Sequence, residues 1–145
     1  MAQSQLQMVA EWERQKEQKL VQDFQLAQQF AQDHKAKLSG LENYRLNYLR
    51  EAQQRAKQGV GSVTFGQHQQ FIGKLDKACE MQLMTLNQAV KVSDQRRMQW
   101  LAQQRKRKAV EMLLDKQHKA KLEREEKTEQ MMLDELSLQK FIRKS

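Results

Sequence analysis

Gln58-Gly59-Val60-Gly61-Ser62-Val63-Thr64-Phe65-Gly66 is the stretch of the chain in which the sequence most clearly stops favouring a helix. It holds three of the five glycines, and the chain has no proline. Glycine accepts a positive φ and weakens a helix, while valine and threonine have stiff side chains. The tracts on either side are rich in Gln, Lys, Arg, Glu, Leu, Met and Ala, which favour helix. The sequence therefore predicts a single all-α domain, residues 1–145, with helices over about 5–57 and about 65–142 and a turn over 58–64.

The composition suits a narrow seam between helices better than a globular core. Hydrophobic residues make up 39% of the chain and charged residues 30%, and the mean hydropathy is −0.93. Disorder is the competing interpretation for so polar a chain. The regular spacing of the apolar residues and the absence of proline favour paired helices instead.

Residues suited to packing recur every seven positions on both sides of the turn, a pattern typical of helices that pair along one seam. The first series is Leu20, Ala27, His34, Leu41 and Tyr48, after a start with Ser4 as N-cap and Leu6, Val9 and Trp12 on the apolar face. The second series is Ile72, Cys79, Leu86, Ser93, Trp100, Arg107 and Leu114. We expect an antiparallel two-helix coiled coil in which residue i lies opposite about residue 122 − i. Tyr48 would then face Lys74 and Leu75.

No arrangement of residues typical of an enzyme or a cofactor site is evident. Gly59-Val60-Gly61 lacks the lysine of a phosphate-binding loop, and there is no Cys/His cluster at zinc spacing. His34 and Cys79 fall on the seam and are interpreted as packing residues. A single cysteine fits a reducing compartment, and no signal peptide or apolar run of the ~20 residues needed to cross a bilayer is present. We expect a non-enzymatic cytoplasmic protein without a cofactor.

The positive charge is concentrated in one part of the second helix. The formal net charge is +8, and residues 95–121 hold nine basic residues against Glu111 and Asp115, a difference of +7. The run Arg105-Lys106-Arg107-Lys108 raises nucleic-acid binding as an alternative function. Its side chains point around most of the helix, however, and no DNA-binding motif accompanies it, so we expect no nucleic acid as partner. A generic dimeric coiled-coil scaffold is the second alternative.

The second arm is longer than the first. Residue 5 meets about residue 117, so roughly 25 residues, or about 40 Å of helix, extend beyond the pairing. The apolar residues of this C-terminal segment (residues 122–145) are Leu122, Met131, Met132, Leu133, Leu136, Leu138, Phe141 and Ile142. An isolated helix is marginal in water, and methionine-rich surfaces adapt to varied partners. We expect the segment to bind a partner; folding back or self-association is the alternative.

Residues on both sides of the turn resemble a known family. Leu41, Tyr44 and Tyr48 precede the glycine-containing turn, and Gln69-Gln70-Phe71-Ile72 follows it, with Leu75, Lys77, Ala78 and Glu80 next. In order and spacing these residues resemble the most recognisable region of the flagellar FliJ family. The resemblance extends over essentially the whole chain.

The resemblance implies a component of the flagellar type III protein export apparatus, with a role in flagellum biogenesis and motility. FliJ-like proteins are antiparallel two-helix coiled coils similar in shape to the central stalk of rotary ATPases. The partners implied are the hexameric export ATPase FliI, the export-gate protein FlhA and export chaperones. The location implied is the cytoplasm, at the periphery of the inner membrane where the flagellum is based.

The resemblance also implies contact residues. Carried over by position, the export-gate surface is formed by Leu41, Tyr44, Tyr48, Phe71, Leu75, Ala78 and Gln82. Filling the seam is the alternative role for Tyr44 and Tyr48. The end with the C-terminal segment fits the ATPase ring or a chaperone, because an acidic lining would attract the basic residues beside it. The residues expected there are Arg105, Arg107, Leu122, Met131, Met132, Leu136 and Phe141.

Overall fold

The computed structural model describes residues 3–59 and 65–144, and these form an all-α helical hairpin. Helix α1 spans Gln3–Lys57 and helix α2 spans Phe65–Lys144, and the two pack against each other. The predicted fold class is therefore confirmed. The turn expected over 58–64 lies mostly outside the described residues. That the chain is one domain stays a prediction.

The ends of α1 are set by local chemistry. At its C-terminus, Gly59 has a φ of 71°. The Gln58 amide donates to the Gln54 carbonyl at 3.1 Å, and the Gly59 amide donates to the Ala56 carbonyl at 3.3 Å. A glycine at positive φ is a common way to end a helix, because it has no Cβ to clash. At the N-terminus α1 begins at Gln3, so Ser4 lies inside the first turn rather than at the predicted cap position.

The chain divides into two compact units, each built from one part of either helix. The first unit contains residues 3–19 and 101–144, and the second contains residues 20–100. Gly40 lies within α1 in the second unit, and the helix continues through it.

The seam of the second unit follows the predicted seven-residue series. In α1 the residues from Leu20 to Tyr48 in that series are all half-buried, and in α2 the series members within the unit are half-buried or buried. Phe24 stacks on Trp100 with ring centroids 5.7 Å apart. The most covered apolar side chains are Ala31, Leu75 and Ala89. Among the described residues no large side chain is fully buried, as expected where only two helices cover each other.

The seam of the first unit is small and partly polar. Leu6 and Ala10 are its buried apolar residues, with exposed fractions of 4% and 2%. Trp12, expected on this face, is instead 59% exposed, and the Lys16 ammonium lies 3.7 Å from the centre of its ring. The prediction for Trp12 is wrong because Leu6 and Ala10, four residues apart, share the face that packs on α2, whereas Trp12 lies on another face of α1.

Contacts across the second unit test the predicted register. Arg45 Nε donates to Asp76 Oδ1 at 2.5 Å, one position from the residue expected opposite Arg45. The Tyr48 ring contacts His68 and Phe71. These residues lie six and three positions nearer the connection than Lys74, the residue expected opposite Tyr48.

Candidate partner-binding surfaces

Four rings from the two helices meet in the part of the second unit next to the connection. Tyr44 and Tyr48 lie one turn apart on α1, and His68 and Phe71 lie on α2. The Phe71 centroid is 4.5 Å from that of Tyr48 and 6.4 Å from that of Tyr44, in tilted and edge-to-face arrangements. Tyr48 stacks on His68 at 5.2 Å, and its hydroxyl lies 3.0 Å from His68 Nδ1. We refer to these four residues as the aromatic cluster.

The members of the aromatic cluster differ in how much of each ring reaches solvent. Tyr44 is 55% exposed, whereas Tyr48, His68 and Phe71 are half-buried. Aromatic pairs with centroids 4.5–7 Å apart gain energy beyond burial of area, so the cluster holds Tyr44 in place while leaving part of its ring accessible. The structure thus gives the two tyrosines different roles: Tyr48 fills the seam and Tyr44 forms an exposed edge.

The other residues expected at the gate surface belong mainly to the packing beneath it. Leu75 is 8% exposed, and Leu41 and Ala78 are half-buried. A side chain covered to this degree stabilises the hairpin and offers little area to a partner. These three residues are therefore packing residues of the second unit, and Tyr44 is the most exposed of the residues expected at the gate surface.

Gln82 is held across the seam by His34. Its Nε2 amide lies 3.0 Å from the His34 carbonyl oxygen and 2.9 Å from His34 Nδ1. The carbonyl can only accept, so the amide nitrogen must face it, and the second N–H of the amide then donates to Nδ1. This geometry requires an unprotonated Nδ1. Both groups are thereby used within the chain, and Gln82 acts in the structure as a link between the helices.

Arg107 and Arg105 lie in different surroundings although they are two residues apart. The Arg107 guanidinium bonds to the Glu17 carboxylate and donates to Glu111 at 2.8 Å, and Arg14 donates to the same Glu111 at 2.7 Å. Arg105 is exposed and makes no ion pair among the described residues. The two cations predicted to act together therefore lie in different environments: Arg107 is fixed within the seam, and Arg105 is exposed to solvent.

The pKa values of Arg107 and Glu111 move in the directions that stabilise their charges. Hydrogen bonds to Glu17 and then to Glu111 raise the pKa of Arg107 above its ordinary value. The hydrogen bond from Arg14 is the largest cause that lowers the pKa of Glu111; partial burial opposes it, and Arg107 adds to it. The network is therefore charged at neutral pH and joins the two helices of the first unit.

The described part of the C-terminal segment, residues 122–144, is helical, and every residue in it is exposed. The apolar side chains expected to bind a partner have exposed fractions of 45% for Leu122, 70% for Met131, 61% for Met132, 54% for Leu136 and 72% for Phe141. At 3.6 residues per turn, Met132 and Leu136 lie on one side of the helix and Met131 lies on another. A helix that carries apolar residues around its circumference is usually buried on several sides.

Some residues at these surfaces were not identified from the sequence. His68 completes the aromatic cluster, although the register 122 − i places it opposite residue 54, six positions from Tyr48. Glu17 and Gln103 form the polar seam of the first unit, where Gln103 Nε2 donates to the Glu13 carbonyl at 3.1 Å. A carboxylate such as that of Glu17 could have been expected from the sequence, because Arg107 occupies a seam position and a cation there requires a nearby anion.

Neither a metal site nor a membrane-spanning stretch occurs among the described residues. Residues 3–59 and 65–144 contain no group of three or more His, Cys, Asp or Glu side chains that could hold a metal ion. Neither helix, over the part of the chain that the structure covers, has a stretch long and apolar enough to cross a membrane. Cys79 is a free thiol, half-buried in the seam.

Comparison with known proteins gives one match. A family model described as "Flagellar FliJ protein" matches residues 2–145. No curated protein and no solved structure matches the chain significantly.

Proposed function

Because the chain belongs to the FliJ family and is thus related to flagellar protein export, we propose that it is a stalk-like link in the export apparatus. In this proposal the C-terminal segment binds the hexameric export ATPase or an export chaperone, and the aromatic cluster binds the export-gate protein. The protein works without catalysis of its own, in the cytoplasm at the membrane base of the flagellum. The family itself is a non-enzymatic export component.

The exposed C-terminal segment is the observation that carries the proposal. Met131, Met132 and Phe141 expose 61–72% of their surface in a helix that has no cover along residues 122–144. An exposed set of large apolar side chains marks an interaction site. Since these side chains point to different sides of the helix, the partner has to surround it. The central opening of a ring of ATPase subunits meets that requirement, and so does a chaperone with a deep groove.

Arg105 supports the same assignment. It is an exposed cation without an ion pair among the described residues, in the first unit together with the C-terminal segment. Acidic residues on the partner would attract such a cation and orient the helix as it approaches. Arg107 contributes indirectly, because it fixes α1 against α2 in this unit.

Tyr44 supports the assignment of the gate surface. Aromatic residues with a rigid ring and a polar hydroxyl are common anchors at protein interfaces. Tyr44 has that form, and its contact with Phe71 limits the freedom it would lose on binding. The proposal therefore uses Tyr44 as the anchor and places Leu75 and Ala78 below it as packing residues.

Two variants of matched exposure test the gate surface. Tyr44→Ala removes a ring that is 55% exposed, and Phe30→Ala removes one that is 56% exposed elsewhere on α1. We expect Tyr44→Ala to weaken binding of a FlhA-like gate protein by about tenfold or more, the usual effect of losing an interface anchor. Phe30→Ala should leave binding unchanged, and circular dichroism should show the same helicity in both. Equal binding by the two variants would contradict the assignment.

Deletion tests the C-terminal segment. A chain ending at Lys121 keeps the seam of the first unit, because residues 122–144 are exposed throughout. We expect this truncation to lose binding to a FliI-like hexamer or to an export chaperone. Retention of both interactions at full strength would show that the segment is not the binding site.

Nucleic-acid binding gains no support from the structure. Within the run from Arg105 to Lys108, Arg107 is already bound to Glu17 and Glu111. Arg105 and Lys106 point to different sides of the helix. A steep fall in DNA affinity with rising salt would nevertheless revive that alternative.

A further inference from the structure

The face of α2 that points away from α1 in the first unit carries a charge pattern of which the proposed function uses only Arg105. The seam face of α2 is marked by Gln103 and Arg107, which bond to α1. At 3.6 residues per turn, the residues within an arc of roughly 80° on the other side follow one another three or four positions apart. They are Arg105, Lys108, Met112, Lys116, Lys119, Glu123, Glu126, Gln130, Asp134 and Ser137, and all are exposed. We refer to them as the outer stripe.

The outer stripe changes sign once along its length. Its charged residues are basic up to Lys119 and acidic from Glu123 onwards. Lys119 pairs with Asp115 at 3.3 Å within the helix, an exposed pair that is easily exchanged. Lys116, Glu123 and Glu126 make no ion pair among the described residues. The stripe thus presents cations and anions that are free to bind opposite charges outside the chain.

We propose that the outer stripe binds the outer stripe of a second copy of this chain, antiparallel, with the two-fold axis near residue 121. Residue i of one copy then lies opposite about residue 242 − i of the other. Lys116 faces Glu126, and Lys119 faces Glu123. Each of these pairs forms twice, because a two-fold interface is self-complementary.

The remaining residues of the outer stripe fit the same register. Lys108 faces Asp134, which adds a third complementary pair on each side of the axis. Met112, with 73% of its surface exposed, faces Gln130, whose aliphatic stem can cover it. Arg105 faces Ser137, so that it meets no like charge. The charge pattern is thus matched along about 48 Å of helix.

The change of sign along the outer stripe favours a second copy of the chain over a uniformly anionic partner. An anionic membrane or a nucleic acid would attract Lys108 and Lys116 but repel Glu123 and Glu126 on the same face. A parallel pairing of two copies would place each lysine opposite the same lysine. Only an antiparallel partner with the reverse order of charges satisfies both halves, and a second copy has that order. The pairing would occupy the C-terminal segment and so compete with the binding proposed for it.

Self-association of this kind should depend strongly on salt. Exposed ion pairs are individually weak and are screened by ions, so each pair is worth about a factor of two in affinity. Sedimentation equilibrium of the full chain should show a dimer at about 50 mM salt and a shift towards monomer at about 500 mM, where the Debye length is only a few Å. A monomer at every concentration in low salt would overturn the proposal.

Charge reversal tests which residues are responsible. Lys116→Glu with Lys119→Glu makes the stripe acidic, and Glu123→Lys with Glu126→Lys makes it basic. We expect each double variant alone to dimerise at least about tenfold more weakly, since four pairs become repulsive. An equimolar mixture of the two should form a heterodimer, and the quadruple variant should recover the homodimer. Failure of both the mixture and the quadruple variant would overturn the pairing.

A control variant separates the stripe from net charge. Lys106→Glu with Arg124→Glu changes the net charge by the same amount as Lys116→Glu with Lys119→Glu. Lys106 and Arg124 are exposed but lie about 120° away from the centre of the outer stripe. Dimerisation of the control should match that of the original chain. A loss as large as that of the stripe variants would show that overall charge, and not the stripe, governs association.

Distance measurement tests the orientation. With Cys79→Ser to remove the native thiol, a spin label is placed through Ser137→Cys, and the distance between the two labels of a dimer is measured by pulsed electron paramagnetic resonance. The antiparallel pairing predicts about 48 Å between the two positions along the axis, from 32 residues at 1.5 Å each. A parallel pairing predicts labels close together, and that result would overturn the proposal.

Discussion

Replacement of Arg107 by alanine should destabilise the first unit, because Arg107 lies in a partly covered seam with two carboxylates. Its side chain is 22% exposed, that of Glu17 is 14% exposed and that of Glu111 is 28% exposed. Glu111 keeps the hydrogen bond from Arg14 in the variant, but Glu17 loses the only ion pair it makes among the described residues. The effect therefore depends mainly on the carboxylate of Glu17.

The size of the effect follows from the burial of this pair. Exposed ion pairs contribute about 0.2–1 kcal/mol, and removal of one partner of a fully buried pair costs about 3–5 kcal/mol. The exposed fractions of Arg107 and Glu17 place them between these limits. We expect Arg107→Ala to lower the urea midpoint by more than the loss of an exposed ion pair would, with most of the loss appearing as coupling between Arg107 and Glu17.

Urea unfolding followed by circular dichroism measures this coupling through a double-mutant cycle of Arg107→Ala and Glu17→Ala. Arg105→Ala is the matched control, since Arg105 is an exposed arginine two residues away without an ion pair among the described residues. Its effect should stay within about 0.5 kcal/mol. A cost for Arg107→Ala no larger than that of Arg105→Ala, or a coupling near zero, would refute the assignment of Arg107 to the seam.

Three further predictions concern the hairpin itself. Leu75→Ala should reduce the free energy of unfolding in urea by about 2–3 kcal/mol, the lower part of the range for buried leucine, since the seam is open to water at its edges; a cost below about 1 kcal/mol would contradict its place in the core. Gly59→Ala should lower the melting temperature, because Gly59 has a φ of 71° and a side chain there costs about 1 kcal/mol. Gly40→Ala should raise the melting temperature through about 1 kcal/mol of helix propensity, since the added Cβ would meet open space. A shift of the melting temperature in the same direction for both variants would contradict this. Hydrogen bonds from two arginines lower the pKa of Glu111, so the contribution of the Glu111 carboxylate to stability is present above its ordinary pKa and is lost as the pH falls through the lowered value. The loss of stability in acid should therefore be smaller in Glu111→Gln than in the original chain. Equal dependence of stability on pH in the two proteins would show that the network is not formed.

The pairing of the helices could be predicted from the sequence because it depends on periodicity. The seven-residue series through His34, Cys79 and Arg107 identifies the seam, and the glycines near residue 59 identify the end of α1. Each of these features is local in the sequence, or repeats along it, and requires no knowledge of tertiary contacts.

The roles of individual side chains could not be predicted in the same way. Tyr44 and Tyr48 are both aromatic and both near the seam, and their sequence positions alone do not indicate that Tyr44 is the more exposed of the two. The spacing of Trp12 from Leu6 and Val9 predicts that it lies on the apolar face, but Leu6 and Ala10 are the buried residues there and Trp12 is 59% exposed. A shift of one turn in register or a rotation of about 40° around the helix decides such details, and periodicity does not specify either.

Imaging of the export ATPase ring tests the central claim most directly. A FliI-like hexamer is mixed with the full chain or with the chain ending at Lys121, and averaged particles are compared by electron microscopy. The proposal predicts density on the axis of the ring with the full chain and an empty axis with the truncated one. Axial density with both chains, or a full chain bound only to the outside of the ring, would contradict the proposed function of the C-terminal segment.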